Sequence, residues 1–253
     1  MMEQTASFYD SLATHYHLIF EDWERAIARQ AASLDRVLGT QLPGRLRILD
    51  CACGIGTQAL GLAALGHSVL GSDLSAGAIA RAKKEAAARN LEIRFRVADI
   101  TTLDGIAERE FDVVAALDNA LPHLTGEQLR RAATAMASKL QPGGLLIASI
   151  RDYDRLIDER PEMQPPAFYG APGSRRIVHQ IWDWEDRARY TLHLYLTLER
   201  EAAWTNLHFV SGYRAVLRDE LSSALQAAGL EDVRWIAPAE SGFYQPIIIA
   251  RRP

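Results

Sequence analysis

The sequence predicts an α/β protein: a parallel sheet covered by helices on both faces, preceded by a helical segment and interrupted by a small antiparallel insertion. Three observations carry this. Strand-like and helix-like segments alternate with short connections over residues 46–150, the pattern that produces a parallel sheet with helices returning over its faces. A glycine-bearing turn, Cys53-Gly54-Ile55-Gly56, joins the first strand to the following helix. Residues 188–199 then switch to a period of two, which belongs to a half-buried antiparallel strand.

In chain order, residues 21–38 place Trp23, Ile27, Leu34 and Leu38 at near-helical spacing, and Pro43-Gly44 ends that helix. Residues 46–51 read as a buried strand, 57–65 as a helix, 68–71 as a strand, 76–89 as an alanine-rich helix and 93–97 as a strand. An apolar strand over 111–117 precedes a helix over 126–140, a Pro142-Gly143-Gly144 turn and a strand over 145–150. Beyond Ile150, Pro161, Pro165, Pro166 and Pro172 mark a loop, and Phe168-Tyr169 within it reads as part of a mobile lid or an irregular surface segment. Three strands follow, over 176–184, 188–199 and 204–213. In the second, Tyr190, Leu192, Leu194, Leu196 and Leu198 share one face; Thr191, His193, Tyr195 and Thr197 share the other, which reads as surface. A helix over 219–228 ends at Gly229, a fitting C-cap, and strands over 233–237 and 247–250 follow. The plan is one domain, 1–253: a helical cap (1–44), a core (45–150), an antiparallel insertion or lid (160–213), and a helix and strand pair (214–253) completing the core.

Composition narrows the function classes. A chain of 253 residues with 48% hydrophobic and 24% charged residues has the make-up of an ordinary globule able to bury a sizeable core. A net charge of -4 supplies no global basic field, so a nucleic-acid partner is not expected. The first ten residues carry no positive cluster or apolar run, which predicts no secretory signal, and no apolar run reaches spanning length, which predicts no membrane segment. Cys51 and Cys53 are too close for an unstrained bridge and too few for a zinc site, so a metal is not expected and the cytoplasm is the default compartment.

The chemistry centres on Asp50-Cys51-Ala52-Cys53-Gly54-Ile55-Gly56-Thr57, where an apolar strand enters a glycine turn and a helix begins. Glycines admit a ligand close to the backbone, and the free N–H groups of the helix start favour negative charge. The spacing of Gly54, Gly56 and Ala59 also fits a dinucleotide-binding turn, and a tight turn with no ligand is the bland alternative. Two more acids sit at strand ends. Asp73 lies where an acid takes both hydroxyls of a ribose, and Asp99 could accept from an adenine amino group beside Ile100. Each alone also reads as a turn residue or helix cap. Together with Asp50 they lie at the carboxyl ends of three successive strands, where such sheets bind ligands.

These motifs resemble those of class I S-adenosylmethionine-dependent methyltransferases. Leu49-Asp50 with Cys53-Gly54-Ile55-Gly56-Thr57 is similar to their first motif, and Gly71-Ser72-Asp73-Leu74-Ser75 to their ribose-binding segment. Phe111-Asp112-Val113-Val114 resembles the fourth strand, and Leu140-Gln141-Pro142-Gly143-Gly144 the turn before the fifth. The resemblance implies a Rossmann-like three-layer fold with N-terminal helices and a small antiparallel β insertion. It implies S-adenosyl-L-methionine as cofactor, held by Asp50, Cys53, Gly54, Gly56, Asp73, Leu74, Asp99, Ile100 and Leu117, with Tyr9, Tyr16 and Trp23 wrapping it from the N-terminal helices or simply packing there.

Residues 118–124, Asp-Asn-Ala-Leu-Pro-His-Leu, and 150–154, Ile-Arg-Asp-Tyr-Asp, resemble segments of the glycine/sarcosine N-methyltransferase branch, with Asp152 standing where that branch has asparagine. This implies Arg151 as the holder of an acceptor carboxylate, Asn119 as a side chain offered to the acceptor, and His123 as a pocket hydrogen-bonder or a base. Competing readings are a surface ion pair of Arg151 with Asp152 or Asp154, a turn role for Asn119 and a structural role for His123. Tyr213 lies near a pocket position of that branch. The expected function is methyl transfer to a nitrogen of a small molecule (an amino acid, an amino sugar or a nitrogen heterocycle), with an O- or C-methyltransferase of secondary metabolism as the alternative. The sequence does not specify an oligomeric state.

Overall fold

A computed structural model describes residues 2–201 and 203–253. Helix α1 (Met2–Leu12) leads through a 3-10 turn (Tyr16–Ile19) into α2 (Trp23–Gly39), whose N-terminus is capped by Asp22 accepting from the Arg25 N–H. Strand β1 (Arg47–Asp50), α3 (Thr57–Ala64), β2 (Ser68–Asp73), α4 (Ala76–Ala88), β3 (Arg94–Val97), β4 (Phe111–Ala116), α5 (Gly126–Lys139) and β5 (Leu140–Ser149) form the alternating core. Then come α6 (Tyr153–Glu159), strands β6 (Met163–Tyr169), β7 (Arg176–Trp184), β8 (Arg189–Arg200) and β9 (Ala203–Arg214), α7 (Arg218–Ala227), β10 (Glu231–Ile236), the short α8 (Pro238–Ser241) and β11 (Ile247–Arg251).

The seven-stranded sheet runs β10-β11-β5-β4-β1-β2-β3. Strands β1 to β5 pair in parallel, while β11 pairs antiparallel with both β5 and β10. This is the Rossmann-like α/β architecture. Two apolar clusters pack the sheet, one around Ile48, Phe95 and α2, the other around Leu49, Val114 and α5. Strands β6-β7-β8-β9 form a separate antiparallel sheet. Its β8 alternates as the sequence requires: Tyr190, Leu192, Leu194, Leu196 and Leu198 are all buried and Thr191, His193, Tyr195 and Thr197 are not. Among the described residues no helix is long and apolar enough to cross a membrane, and no group of metal-ligating side chains could hold an ion.

Three expectations are corrected. The proline-rich segment is not an irregular loop: residues 163–169 form the edge strand β6, with a register shift between Gln164 and Ala167. Proline is tolerated there because an edge strand has one row of N–H groups with nothing to bond. The Pro142-Gly143-Gly144 turn lies inside β5, where the register against β4 jumps between Phe111 and Val113 and the Gly143 N–H donates to the Arg252 carbonyl at 2.8 Å. Residues 153–159, read as irregular, form α6, which Pro161 follows and ends.

Candidate active site

The strand order reverses between β1 and β4, so their following chain segments leave to opposite sides and open a crevice at the strand tips. The turn after β1 forms its floor. Gly54 (φ +53°) and Gly56 (φ +94°) adopt left-handed backbone, which glycine enters without steric penalty. They do different work. A Cβ on Gly54 would meet nothing within 4 Å, so a side chain there would project into the crevice. A Cβ on Gly56 would press on Leu60 Cγ at 3.3 Å, because Gly56 caps α3 and packs against it. Asp73 braces the turn: its carboxylate accepts from Gly54 N–H at 2.9 Å and Ser75 N–H at 2.9 Å. Burial raises its pKa, and those two N–H bonds oppose the rise.

Of the residues assigned to the cofactor, Tyr16, Cys53, Gly54, Asp73, Leu74, Asp99, Ile100 and Leu117 line one cavity, and Tyr9 joins them from α1. Asp50, Gly56 and Trp23 stand behind it. Asp50 is 1% exposed with neither carboxylate oxygen hydrogen-bonded among the described residues, and burial, then the neighbouring Asp73 charge, push its carboxyl up to about 7. The Trp23 indole donates to Thr57 Oγ1 at 2.9 Å, so it fixes the start of α3 from beneath. The cavity suits a nucleoside with a flexible charged tail. Two carboxylates, Asp73 and Asp99, sit at successive strand tips to accept from hydroxyl and amino groups, and the space left by Gly54 admits the chain between them.

A second cavity of about 950 Å3 adjoins the first, within the size range of small-molecule sites. Tyr9, Tyr16 and Asp118 line both. Arg151 lies in the second, its guanidinium 4.7 Å from the Trp182 ring centre and 5.4 Å from that of Tyr213. It donates to Tyr190 Oη at 2.8 Å and Gln180 Oε1 at 3.4 Å, both uncharged, and makes no ion pair among the described residues. Asp152 and Asp154 pair instead with Arg218.

Asn119 lines the second cavity, but its amide faces the protein: Oδ1 accepts from the Arg151 N–H at 3.0 Å and Nδ2 donates to Tyr153 Oη at 3.0 Å. His123 borders the first cavity. Its Nδ1 reaches only a carbonyl, that of Gly212, at 3.2 Å, so Nδ1 carries the hydrogen and Nε2 accepts from Tyr9 Oη at 2.9 Å. Burial depresses its pKa to about 4, leaving it neutral at ordinary pH. Sequence reasoning passed over Asp118, Gln180, Trp182 and Tyr244, which complete the second cavity.

A methyltransferase-domain family model matches residues 48–144, the segment that supplies most of the first cavity's lining. The ubiquinone biosynthesis O-methyltransferase of Ruegeria pomeroyi is 31% identical over 211 residues, covering 82% of this chain and 69% of that protein. The chain belongs to the class I S-adenosylmethionine-dependent methyltransferases. S-adenosylmethionine is therefore its cofactor, and the donor set at Gly54, Asp73 and Asp99 fits it. Within the class, a glycine/sarcosine N-methyltransferase of Parasynechococcus marenigrum is 33% identical over 138 residues, covering 54% of this chain and 48% of that protein. The chain spans about half the length of such relatives. A tRNA 5-carboxymethoxyuridine methyltransferase of Escherichia coli matches a similar share, 31% identical over 141 residues, so the shared half does not discriminate acceptors. In fold, the chain is similar to an amino pentose methyltransferase of Micromonospora echinaspora, solved with S-adenosylmethionine bound (TM-score 0.73, 22% identity, 90% and 92% of the two chains).

Proposed function

We propose that this methyltransferase moves the methyl group of S-adenosylmethionine to a nitrogen of a small-molecule acceptor held in the second cavity. The observation that supports it best is Arg151, a cation walled by Trp182, Tyr190 and Tyr213 with only neutral oxygens as partners. A guanidinium so placed suits an anionic group on the acceptor, which its planar fork can bind through two parallel bonds. N-methyltransferases acting on glycine and sarcosine, and a sugar N-methyltransferase of Streptoalloteichus, are among the relatives and structural neighbours.

In this reading Asp73 and Asp99 hold the nucleoside, while Tyr9 and Tyr16 cover it from the N-terminal segment. Asn119 is a positioning residue that sets the Arg151 backbone, and neutral His123 holds the Tyr9 hydroxyl. The cofactor supplies a methyl group already activated on a sulfonium. What the chain adds is alignment of the acceptor nitrogen and exclusion of water, and alignment alone can supply about 7–11 kcal/mol of barrier lowering at best.

Incubation with methyl-labelled S-adenosylmethionine and a panel of amino acids, amino sugars, nitrogen heterocycles and phenols tests this, with products placed by mass spectrometry. Labelled methyl on nitrogen is expected. Transfer confined to phenol oxygens would replace the reading with the O-methyltransferase alternative that the Ruegeria relative favours.

A further inference from the structure

We propose that Asp118 receives the acceptor nitrogen as a cation, pairing with its ammonium group and taking its proton at the junction of the two cavities. The proposal rests on the methyl-transfer reading and names the charge state in which the acceptor enters.

Position is the first ground. Among the described residues, Tyr9, Tyr16 and Asp118 alone line both cavities, and Asp118 is the only carboxylate of the three. It lies two residues beyond the end of β4, beside the crevice where the sheet binds its ligand.

The backbone is the second. Asp118 (φ +56°) and Asn119 (φ +63°) both adopt left-handed backbone, which aspartate and asparagine enter more readily than other side-chain-bearing residues and which the surroundings fix here. The Asp118 N–H donates to Ser149 Oγ at 2.8 Å, Ser149 Oγ donates to Gln245 Oε1 at 2.8 Å, and the Asn119 N–H donates to the Ser149 carbonyl at 3.2 Å. The turn that presents this carboxylate is thus held in place by three hydrogen bonds.

The third ground is what Asp118 lacks. Tyr16 Oη donates to its Oδ2 at 3.0 Å and Tyr244 Oη donates to its Oδ1, yet among the described residues no cation forms an ion pair with it. A carboxylate has about four lone-pair sites, so two tyrosines leave room for further donors. Arg151 lines the same cavity without bonding to Asp118. Asp118 is half-buried and its nearest counter-charge, Arg151, acts on it only at a distance, so direct contact with a cation is left for a ligand to supply. Burial raises the Asp118 pKa while the two tyrosine hydrogen bonds and the Arg151 charge hold it down, the balance a proton acceptor needs.

The step balances simply. The proton on the acceptor ammonium passes to a carboxylate oxygen of Asp118, and the N–H electron pair stays on nitrogen as a lone pair. That pair forms the new N–C bond as the S–C bond breaks, its electrons remaining on sulfur to give the neutral thioether. Tyr244, bonded to Asp118 and 47% exposed, offers a route by which the proton reaches solvent.

The test is binding to the protein saturated with S-adenosylhomocysteine, read by calorimetry at pH 8. The probes are benzylamine, a cation there, and benzyl alcohol, its uncharged counterpart. The wild-type protein is expected to prefer benzylamine by at least about tenfold, the scale of one charge-assisted bond. In Asp118→Asn, measured at its own saturating S-adenosylhomocysteine concentration, the preference should fall to about twofold or less. Asparagine tolerates left-handed backbone, so the variant keeps the turn. Equal affinity of the wild-type protein for the two probes, or a preference that survives in Asp118→Asn, overturns the proposal while leaving the methyltransferase reading intact. Failure of S-adenosylhomocysteine to bind at all overturns both.

Discussion

Asp73 and Arg151 are the two residues whose loss should be felt at different ends of the site. Asp73 holds the N–H groups of Gly54 and Ser75, and its remaining lone pairs face the first cavity. Arg151 faces only the second. Asp73→Ala is expected to weaken S-adenosylhomocysteine at least about tenfold, and Arg151→Ala to raise the acceptor KM by roughly 10- to 150-fold, from about 1.5–3 kcal/mol per charged hydrogen bond. Each variant should leave the other ligand nearly unaffected, a crossover that calorimetry and steady-state kinetics can read. The strand-end acids were legible because their positions follow from where parallel strands stop. The Tyr16–Asp118–Tyr244 cluster was not, since Tyr244 lies 126 residues from Asp118 and nothing local announces the pairing. For Trp23, read as wrapping the cofactor or simply packing, the structure shows the second: it is buried and its indole holds Thr57 at the start of α3.

At the scale of elements, periodicity read well wherever one face is buried. The alternation of β8 and the alanine-rich α4 both follow directly from which side chains must be covered. Reading failed where a local rule met a tertiary one. Pro165 and Pro166 forbid a central strand, yet β6 is an edge, where that prohibition does not apply. Helix α6 is seven residues long and draws on tertiary contacts, with Tyr153 and Leu156 buried, rather than on intrinsic propensity. Helices α2 and α3 approach each other closely at Gly61. A Cβ at Gly61 would lie 2.6 Å from Ala31 Cβ and 2.8 Å from the Ile27 carbonyl oxygen, so the helices touch through backbone. Gly61→Ala should therefore push α2 outward and cost about 1–3 kcal/mol, a fall of several degrees in Tm. Because the Trp23–Thr57 bond spans the same contact, cofactor affinity should fall with it. A thermal melt with and without S-adenosylhomocysteine checks both.

The whole molecule works as two sheets joined by the N-terminal segment. The seven-stranded sheet supplies the first cavity, the antiparallel sheet supplies Gln180, Trp182 and Tyr213 to the second, and Tyr9 and Tyr16 lie between. Arg176 on β7 fastens this arrangement: Nε donates to the Leu18 carbonyl at 3.0 Å, and Nη2 to those of Phe20 at 2.6 Å and Glu21 at 2.8 Å. Arg176→Ala is expected to speed hydrogen exchange across residues 16–21 and weaken both ligands together, unlike either single-site variant above. Unchanged exchange there would show that the segment is held by its apolar contacts alone. The division also explains what the sequence could say. Residues 48–144 carry motifs tied to an invariant ligand, whereas the acceptor side is assembled from distant segments whose side chains answer to a partner the motifs do not encode.

The placement of β11 has a consequence for how this chain matures on the ribosome. Its backbone fills the gap between β5 and β10, so the flank of β5 stays open until residues 247–251 have been synthesised. Every strand that shapes the nucleoside crevice is made well before then, but the sheet beneath it lacks a border. A nascent chain stalled after β9 would expose the Leu145–Ser149 rim as a sticky seam, inviting chaperone capture or pairing with a neighbour's strand.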